Sequence, residues 1–178
     1  GPAGEAGACG PCSEIHYDFG EGTGCGSSDC GPSCDCDRFS EIWNLVFTEL
    51  DQDAEGNRTP LKQKNIDTGM GLERTAALMQ GKRNVYETEL FAPVIEMVSE
   101  KSGKRMDESE KTGMAFRVVS DHRRSSVFIL GDEQGIAPSN VGQGYVLRRL
   151  IRRAVRYAKQ LGLEPGFSGP LAGTIIDN

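Results

Sequence analysis

The apolar positions fall into two regimes along the chain. Glu41-Ile-Trp-Asn-Leu-Val-Phe-Thr-Glu-Leu50 is aromatic and branched, which predicts a buried strand. The polar Asp51-Gln-Asp-Ala-Glu-Gly-Asn57 then predicts a turn, and Leu61 to Asp67 a second extended segment, so the pair reads as an antiparallel hairpin. Gly69 and Gly71 mark a change from strand to helix, after which Leu72, Ala76 and Met79 follow at helical spacing up to Gly81. Beyond that the period stays helical over Glu87 to Lys101, Thr112 to Leu130 and Tyr145 to Leu161. Before position 38 there is little periodicity: residues 1–37 read as loop with one short strand, Glu14-Ile-His-Tyr17. The expected fold class is α+β, with a boundary near residues 81–84 separating a sheet-bearing part, 1–82, from a helical part, 83–178.

Composition adds constraints. A hydrophobic share of 37% over 178 residues suits a soluble globular chain of one domain or two small ones. No run approaches the roughly 20 apolar residues of a membrane span, and nothing at the start resembles an export signal, so the expectation is cytoplasmic with no membrane partner. The chain opens on Gly1 and closes at Thr174-Ile-Ile-Asp-Asn178 without an evident closing element, which suggests a piece of something longer. A net charge of -6 argues against coating nucleic acid over the whole surface. The distribution says more, because Arg148, Arg149, Arg152, Arg153 and Arg156 crowd one stretch with no acidic residue between 145 and 162. At about 100° per residue they share one arc of a helix, with Leu147, Leu150, Ile151, Ala154, Val155 and Ala158 on the other. A solvated face is the ordinary reading of such an arc; five arginines without acidic neighbours favour phosphate contact.

All six cysteines lie in the first 36 residues. Cys9-Gly-Pro-Cys12 spells a redox dithiol, but that chemistry needs a helix start beside the first thiol, and these glycine-rich flanks read as loop into strand. Cys25, Cys30, Cys34 and Cys36 have the spacing C-x4-C-x3-C-x-C, and four thiolates can complete a tetrahedral zinc site; four free thiols is the alternative. His16 lies outside that group and reads as a strand side chain.

A strand ending in Asp67, two glycines and a helix bearing Glu73 and Arg74 put both signs of charge at one junction. That arrangement suits a zwitterionic or phosphorylated ligand. By itself it reads more readily as an Asp helix cap and a solvated Arg.

The wording of these segments resembles one family. Asp67-Thr-Gly-Met-Gly-Leu-Glu-Arg74 is similar to motif 3 of the class II aminoacyl-tRNA synthetases in its alanine-specific form. Trp43-Asn-Leu-Val-Phe47 and the Gly7-Ala-Cys-Gly-Pro-Cys-Ser-Glu-Ile-His-Tyr-Asp18 loop are similar to segments of the alanyl-tRNA synthetases. The resemblance runs from about residue 7 to about 160. It implies part of a class II antiparallel sheet with the motif 3 helix, followed by an all-α tRNA-recognition domain. It also implies an alanine–tRNA ligase reaction, in which ATP with Mg2+ activates L-alanine for transfer to tRNA(Ala). Alanine binding would fall to Asn44, Val46, Asp67 and Gly69, with Asp67 on the α-ammonium group and Val46 limiting the pocket to a methyl. ATP binding would fall to Gly71, Glu73 and Arg74, with Glu41 either assisting or purely structural. A pocket of that size discriminates by only about 1 to 3 kcal/mol per methylene and hardly rejects serine, so editing would be needed elsewhere.

Pro138-Ser-Asn140 followed by Gly142-Gln-Gly-Tyr-Val-Leu-Arg-Arg149 is similar to the family's acceptor-stem segment, which implies that Asn140 helps read the G·U pair, with Arg148, Arg149, Arg152 and Arg153 on the backbone. Val141 stands where a Glu is common and Gln143 where an Arg is common. Asp121 and His122 in Asp121-His-Arg-Arg124 are expected as helix–helix contacts. Motifs 1 and 2 of the family do not occur in these residues, so the chain alone is expected to be inactive and to need the remainder of the synthetase chain as partner. Two other readings stay open: a non-catalytic, zinc-containing tRNA-binding module, and an alanine-handling relative that works without tRNA.

Overall fold

A computed structural model describes residues 6–178, which divide into two compact units, one ending at Asn84 and the other running from Val85 to Asn178. The first is built on a four-stranded antiparallel sheet: β1 (Gly7–Cys9), β2 (Cys12–Asp18), β3 (Phe39–Gln52) and β4 (Arg58–Met70), followed by α1 (Leu72–Met79). The long β3 is the centre. β1 pairs with its far end and β2 with its near half along one side, while β4 runs along the other.

The Cys9-Gly-Pro-Cys12 step joins β1 to β2 without leaving β3, and the Phe47 amide donates to the Pro11 carbonyl at 2.9 Å. A Cβ on Gly10 would stand 1.8 Å from the Phe47 carbonyl oxygen, so only glycine fits that crossing. Cys9 ends a strand in a buried position and Cys12 starts the next one exposed. No helix begins there, and the dithiol-catalysis reading loses its structural basis.

The hairpin turn between β3 and β4 closes on Asp53. Its carboxylate accepts from the Asn57 amide at 2.8 Å and the Asn57 side chain at 3.0 Å, with Gly56 at φ 88. Asp53 is held below its ordinary pKa by the Asn57 side chain first and the Asn57 amide second. Pro60 is tolerated because β4 is an edge strand.

Several expectations are corrected. Where residues 1–37 were expected to hold one short strand, the described residues 6–37 hold two strands and a 3-10 turn at Glu21–Thr23. β1 was invisible because Gly, Ala and Cys carry little strand signal; it exists through its pairing with Leu50 to Gln52. β3 is half-buried rather than buried. One face of the sheet carries Ile15, Trp43, Leu45, Phe47, Ile66 and Met70, and of these Ile66 is 59% exposed. In α1 the helical spacing of Leu72 and Met79 does not mark a buried face. They are 64% and 80% exposed, and Ala77 is the buried residue against β3.

The second unit is all helical: α2 (Ala92–Ser102), α3 (Glu110–Gly131), α4 (Gly142–Leu161) and α5 (Ser168–Asp177). Its core is Val94, Val98, Phe116, Val119, Ala158, Leu161, Leu171 and Ile175, each burial worth about 1.5 to 3 kcal/mol for the larger side chains. α2 starts at Ala92 rather than Glu87, because Val85–Glu87 forms a separate 3-10 turn and Pro93 favours a helix start. Ser109 caps α3 by accepting from the Thr112 amide at 3.1 Å. α5 was not expected. Ser168-Gly-Pro170 reads as a turn, yet proline is accepted in a first turn, and Leu171 and Ile175 then place two buried residues one turn apart. Asp121 and His122 bond to one another at 2.7 Å within α3. The neighbouring Arg123 reaches out of α3, its guanidinium 5.0 Å over the Phe167 ring at the entry to α5.

Candidate functional site

Antiparallel register brings residues distant in sequence onto one face of the first unit. Asn44 stands opposite Gly69 and Val46 opposite Asp67 across β3 and β4. On the other flank Glu14 stands opposite Asn44 and Cys12 opposite Val46. Side chains two apart on a strand share a face, so the result is two rows of three: Glu14, Asn44, Gly69 and Cys12, Val46, Asp67. The four residues expected to hold alanine therefore lie side by side.

The glycine in this grid has no structural cause. Gly69 has an ordinary φ, and a Cβ there would meet nothing within 4 Å, which leaves open space over the β4 edge of the grid, beside Asn44. Asp67 is exposed and lies inside β4, while the N-cap of α1 is Gly71 with no side-chain cap bond. The capping reading of Asp67 is thereby removed.

Two residues that sequence reasoning left without a role complete the face. The Asn44 amide donates to Glu14 Oε1 at 3.3 Å, and Glu14 Oε2 lies 3.0 Å from His16 Nε2. This fixes which way the Asn44 side chain turns, carbonyl oxygen away from Glu14. The spacing Glu14-x-His16 beside a Cys was the available signal, but without knowing which strand pairs with β2 it pointed nowhere.

At the other end of the face a register shift between Ile15 and His16 sets His16 opposite Glu41. Arg74 on the first turn of α1 reaches back to this point. Its Nη1 donates to the Glu41 carbonyl at 2.8 Å and lies 3.6 Å from the Glu41 carboxylate. The Gly71 amide donates to the Ile42 carbonyl at 3.2 Å, pinning the helix start to β3. Glu73 sits in the same first turn. Half of the Arg74 side chain stays exposed, so the guanidinium is anchored on one edge and open on the other.

The connection from β2 to β3 carries the cysteine group. Cys25, Cys30, Cys34 and Cys36 place all four Sγ atoms within 4.8 Å of one another. Cys25 and Cys34 approach to 3.4 Å, Cys30 and Cys36 to 3.6 Å. The Ser27 amide pulls the Cys25 thiol down to about 7, whereas hydrogen bonding to Cys25 pushes Cys34 up to about 12. The loop is closed at its base by Arg38, which grips both oxygens of Asp18 at 2.8 Å. That guanidinium first, and the Gly20 amide second, hold the Asp18 carboxyl at about 2.

In the second unit α4 buries Leu147, Ala154 and Ala158, with Leu150, Ile151 and Val155 half-buried beside them. Arg149, Arg152, Arg153 and Arg156 are exposed, and among the described residues none of them has an acidic partner. Arg149 lies 5.8 Å over Tyr145. Arg148 is turned differently, donating from Nη1 to the Asn140 side-chain oxygen. The loop before α4 is held tightly: the Ser139 amide donates to the Gly144 carbonyl at 3.0 Å, and a Cβ on Gly144 would stand 2.5 Å from Ser139 Oγ. Gly142 enters the helix at φ 54. These glycines explain why α4 begins three residues before the expected Tyr145. They also fix Asn140 at the head of the arginine face.

Comparison with known proteins follows the same lines. A family profile described as tRNA synthetases class II (A) matches residues 2–178. The chain is 54% identical over 177 residues to an alanine–tRNA ligase of Dehalococcoides mccartyi, covering 99% of this chain and 20% of that protein. It is 50% identical to the alanine–tRNA ligase of Desulfosudis oleivorans, over 98% of this chain and 20% of the relative. To that of Treponema denticola it is 49% identical, over 100% and 30% respectively. The chain thus spans about a fifth to a third of the length of the curated relatives it matches. No helix among the described residues is long and apolar enough to cross a membrane.

Proposed function

We propose, on the premise that this chain belongs to the tRNA synthetases class II (A) family, that its sheet face is the alanine-binding half of an aminoacylation site and that α4 receives a tRNA acceptor stem. The observation that carries the first part is the register placing Asn44, Val46, Asp67 and Gly69 side by side, with open space at Gly69. The whole reaction of this reading is L-alanine plus ATP giving alanyl-adenylate, followed by transfer to tRNA(Ala) in the cytoplasm.

The roles follow from the chemistry of each group. Asp67 supplies a carboxylate for the α-ammonium, a charge-assisted contact. Asn44, turned by Glu14, presents its carbonyl oxygen to the same ligand. Val46 closes the space beyond a methyl, and Gly69 leaves the room in which alanine lies. Arg74, braced by Glu41, offers its open edge to ATP phosphate or to the purine face, next to Gly71 and Glu73. Mg2+ arrives with the nucleotide and spreads phosphate charge; Glu41, already faced by Arg74, is better suited to orienting that arginine than to metal binding. Motifs 1 and 2 of this family supply a core strand and the second arginine that grips the α-phosphate, so this chain alone is expected to make no alanyl-adenylate. For the second unit, Asn140 offers a donor and an acceptor to a minor-groove base edge, with Arg148, Arg149, Arg152 and Arg153 along the phosphates.

Equilibrium dialysis with L-alanine, paired with filter binding of an acceptor-stem hairpin RNA containing a G·U pair, tests the reading. Both ligands are expected to bind, with Asp67→Asn abolishing the first and sparing the second. RNA binding with no alanine binding would favour the non-catalytic tRNA-binding module, and binding of neither would overturn the proposal. Alanine-dependent ATP–pyrophosphate exchange by this chain alone would contradict the expected inactivity.

A further inference from the structure

We propose that Cys25, Cys30, Cys34 and Cys36 hold one zinc ion in a closed structural site that clips the connection from β2 to β3. No apolar core organises that connection. Between Gly24 and Cys36 there is no large apolar side chain, and the segment is otherwise Gly, Ser, Asp and Pro. A loop of this composition buries too little to offset the entropy of ordering it. Yet it converges on one point, with all four Sγ atoms within 4.8 Å of one another.

The spacing fits zinc. A tetrahedral ion with thiolates at about 2.3 Å sets its sulfurs about 3.8 Å apart. Two of the pairs, Cys25–Cys34 at 3.4 Å and Cys30–Cys36 at 3.6 Å, lie near that edge length and well outside the roughly 2.05 Å of a disulfide. Multi-iron clusters spread their thiolates over separate metals and suit a wider cage. Four thiolates leave no open position, the mark of a structural rather than catalytic ion.

The surroundings fit as well. Turns closed by Cys30 N to Ser27 O at 3.2 Å and Cys34 N to Gly31 O at 2.8 Å aim the thiols inward. Four thiolates around a divalent ion leave excess negative charge, and Arg38 is the neighbour that offsets it. Its side chain and Cys30 Sγ both crowd Gly24, each 3.2 Å from where a Cβ would stand, and the same guanidinium grips Asp18. Such outer groups orient and tune first ligands. Because Arg38 directly precedes β3, the ion, Arg38 and Asp18 together fix the end of the β2–β3 ladder from which Glu41 meets Arg74. The site goes beyond the aminoacylation reading and does not depend on it.

The test is metal analysis of the chain purified under reducing conditions. About one zinc per chain is expected, and replacement by Co2+ should give the absorption of tetrahedral cobalt with four thiolates. The Cys30→Ser, Cys36→Ser double variant should lose at least nine-tenths of the metal, while Cys9→Ser, Cys12→Ser keeps it. Stripping the wild-type metal with a chelator should speed amide exchange in residues 24–38 at least tenfold and leave α3 and α4 unchanged. The Co2+ spectrum and the exchange measurement use unmutated protein, so a variant that fails to fold does not decide the matter. Reduced protein without metal would overturn the proposal. So would disulfides persisting in its place, bound iron instead of zinc, an octahedral cobalt spectrum, or metal lost with Cys9 and Cys12.

Discussion

Val46 and Asp67 face one another across β3 and β4, so a branched apolar side chain and a carboxylate are neighbours on one surface. If the wall sets substrate size, Val46→Ala should improve binding of L-2-aminobutyrate relative to L-alanine by about tenfold or more, from roughly 1 to 3 kcal/mol per methylene. Competition dialysis checks this. An unchanged ratio would return Val46 to the status of an ordinary sheet residue.

Two glycines should behave oppositely. Gly69→Ala meets nothing within 4 Å, so the urea midpoint of the chain should move by no more than about 0.5 kcal/mol equivalent while alanine affinity falls. Gly144→Ala drives a methyl against Ser139 and Ala137, and the second unit should lose about 1 to 3 kcal/mol. Parallel denaturation and binding curves separate the ligand-facing glycine from the packing one.

The arginine face predicts a salt signature. Each phosphate contact contributes about 0.7 to 0.9 to the slope of log affinity against log salt. Arg152→Gln with Arg153→Gln should therefore flatten the slope for an acceptor-stem hairpin by about 1.4 to 1.8, by filter binding across salt concentrations. Both residues are exposed and without acidic partners among the described residues, so folding should be unaffected.

How much of this was visible beforehand differs by feature. The hairpin, the arginine arc of α4 and the cysteine spacing were legible because each is a local pattern. The grid was not: that Glu14 turns Asn44, or that His16 meets Glu41, depends on pairing β2 with β3 and on a register shift no local pattern encodes. α5 hid behind a Gly-Pro opening, and Leu72 and Met79 kept helical spacing while staying mostly exposed. Periodicity reports which residues share a face, not what lies against it.

Acid should loosen the β2–β3 connection through Asp18. Its carboxyl is held at about 2 in the folded chain against an ordinary 3.8, chiefly by Arg38. A folded-state pKa below the unfolded one gives stability that is complete above about pH 4 and is lost as pH falls towards 2. Carboxyl NMR titration should place the Asp18 midpoint near 2, and Arg38→Gln should raise it towards the ordinary value.

The central claim is that one face of the sheet recognises L-alanine. Titrating isotopically labelled chain with L-alanine and following backbone amides by NMR tests it most directly. The account predicts saturable shifts centred on Asn44, Val46, Asp67 and Gly69, absent with L-leucine, and abolished by Asp67→Asn while α3 and α4 stay still. Shifts confined to other residues, or equal responses to L-alanine and L-leucine, would contradict it.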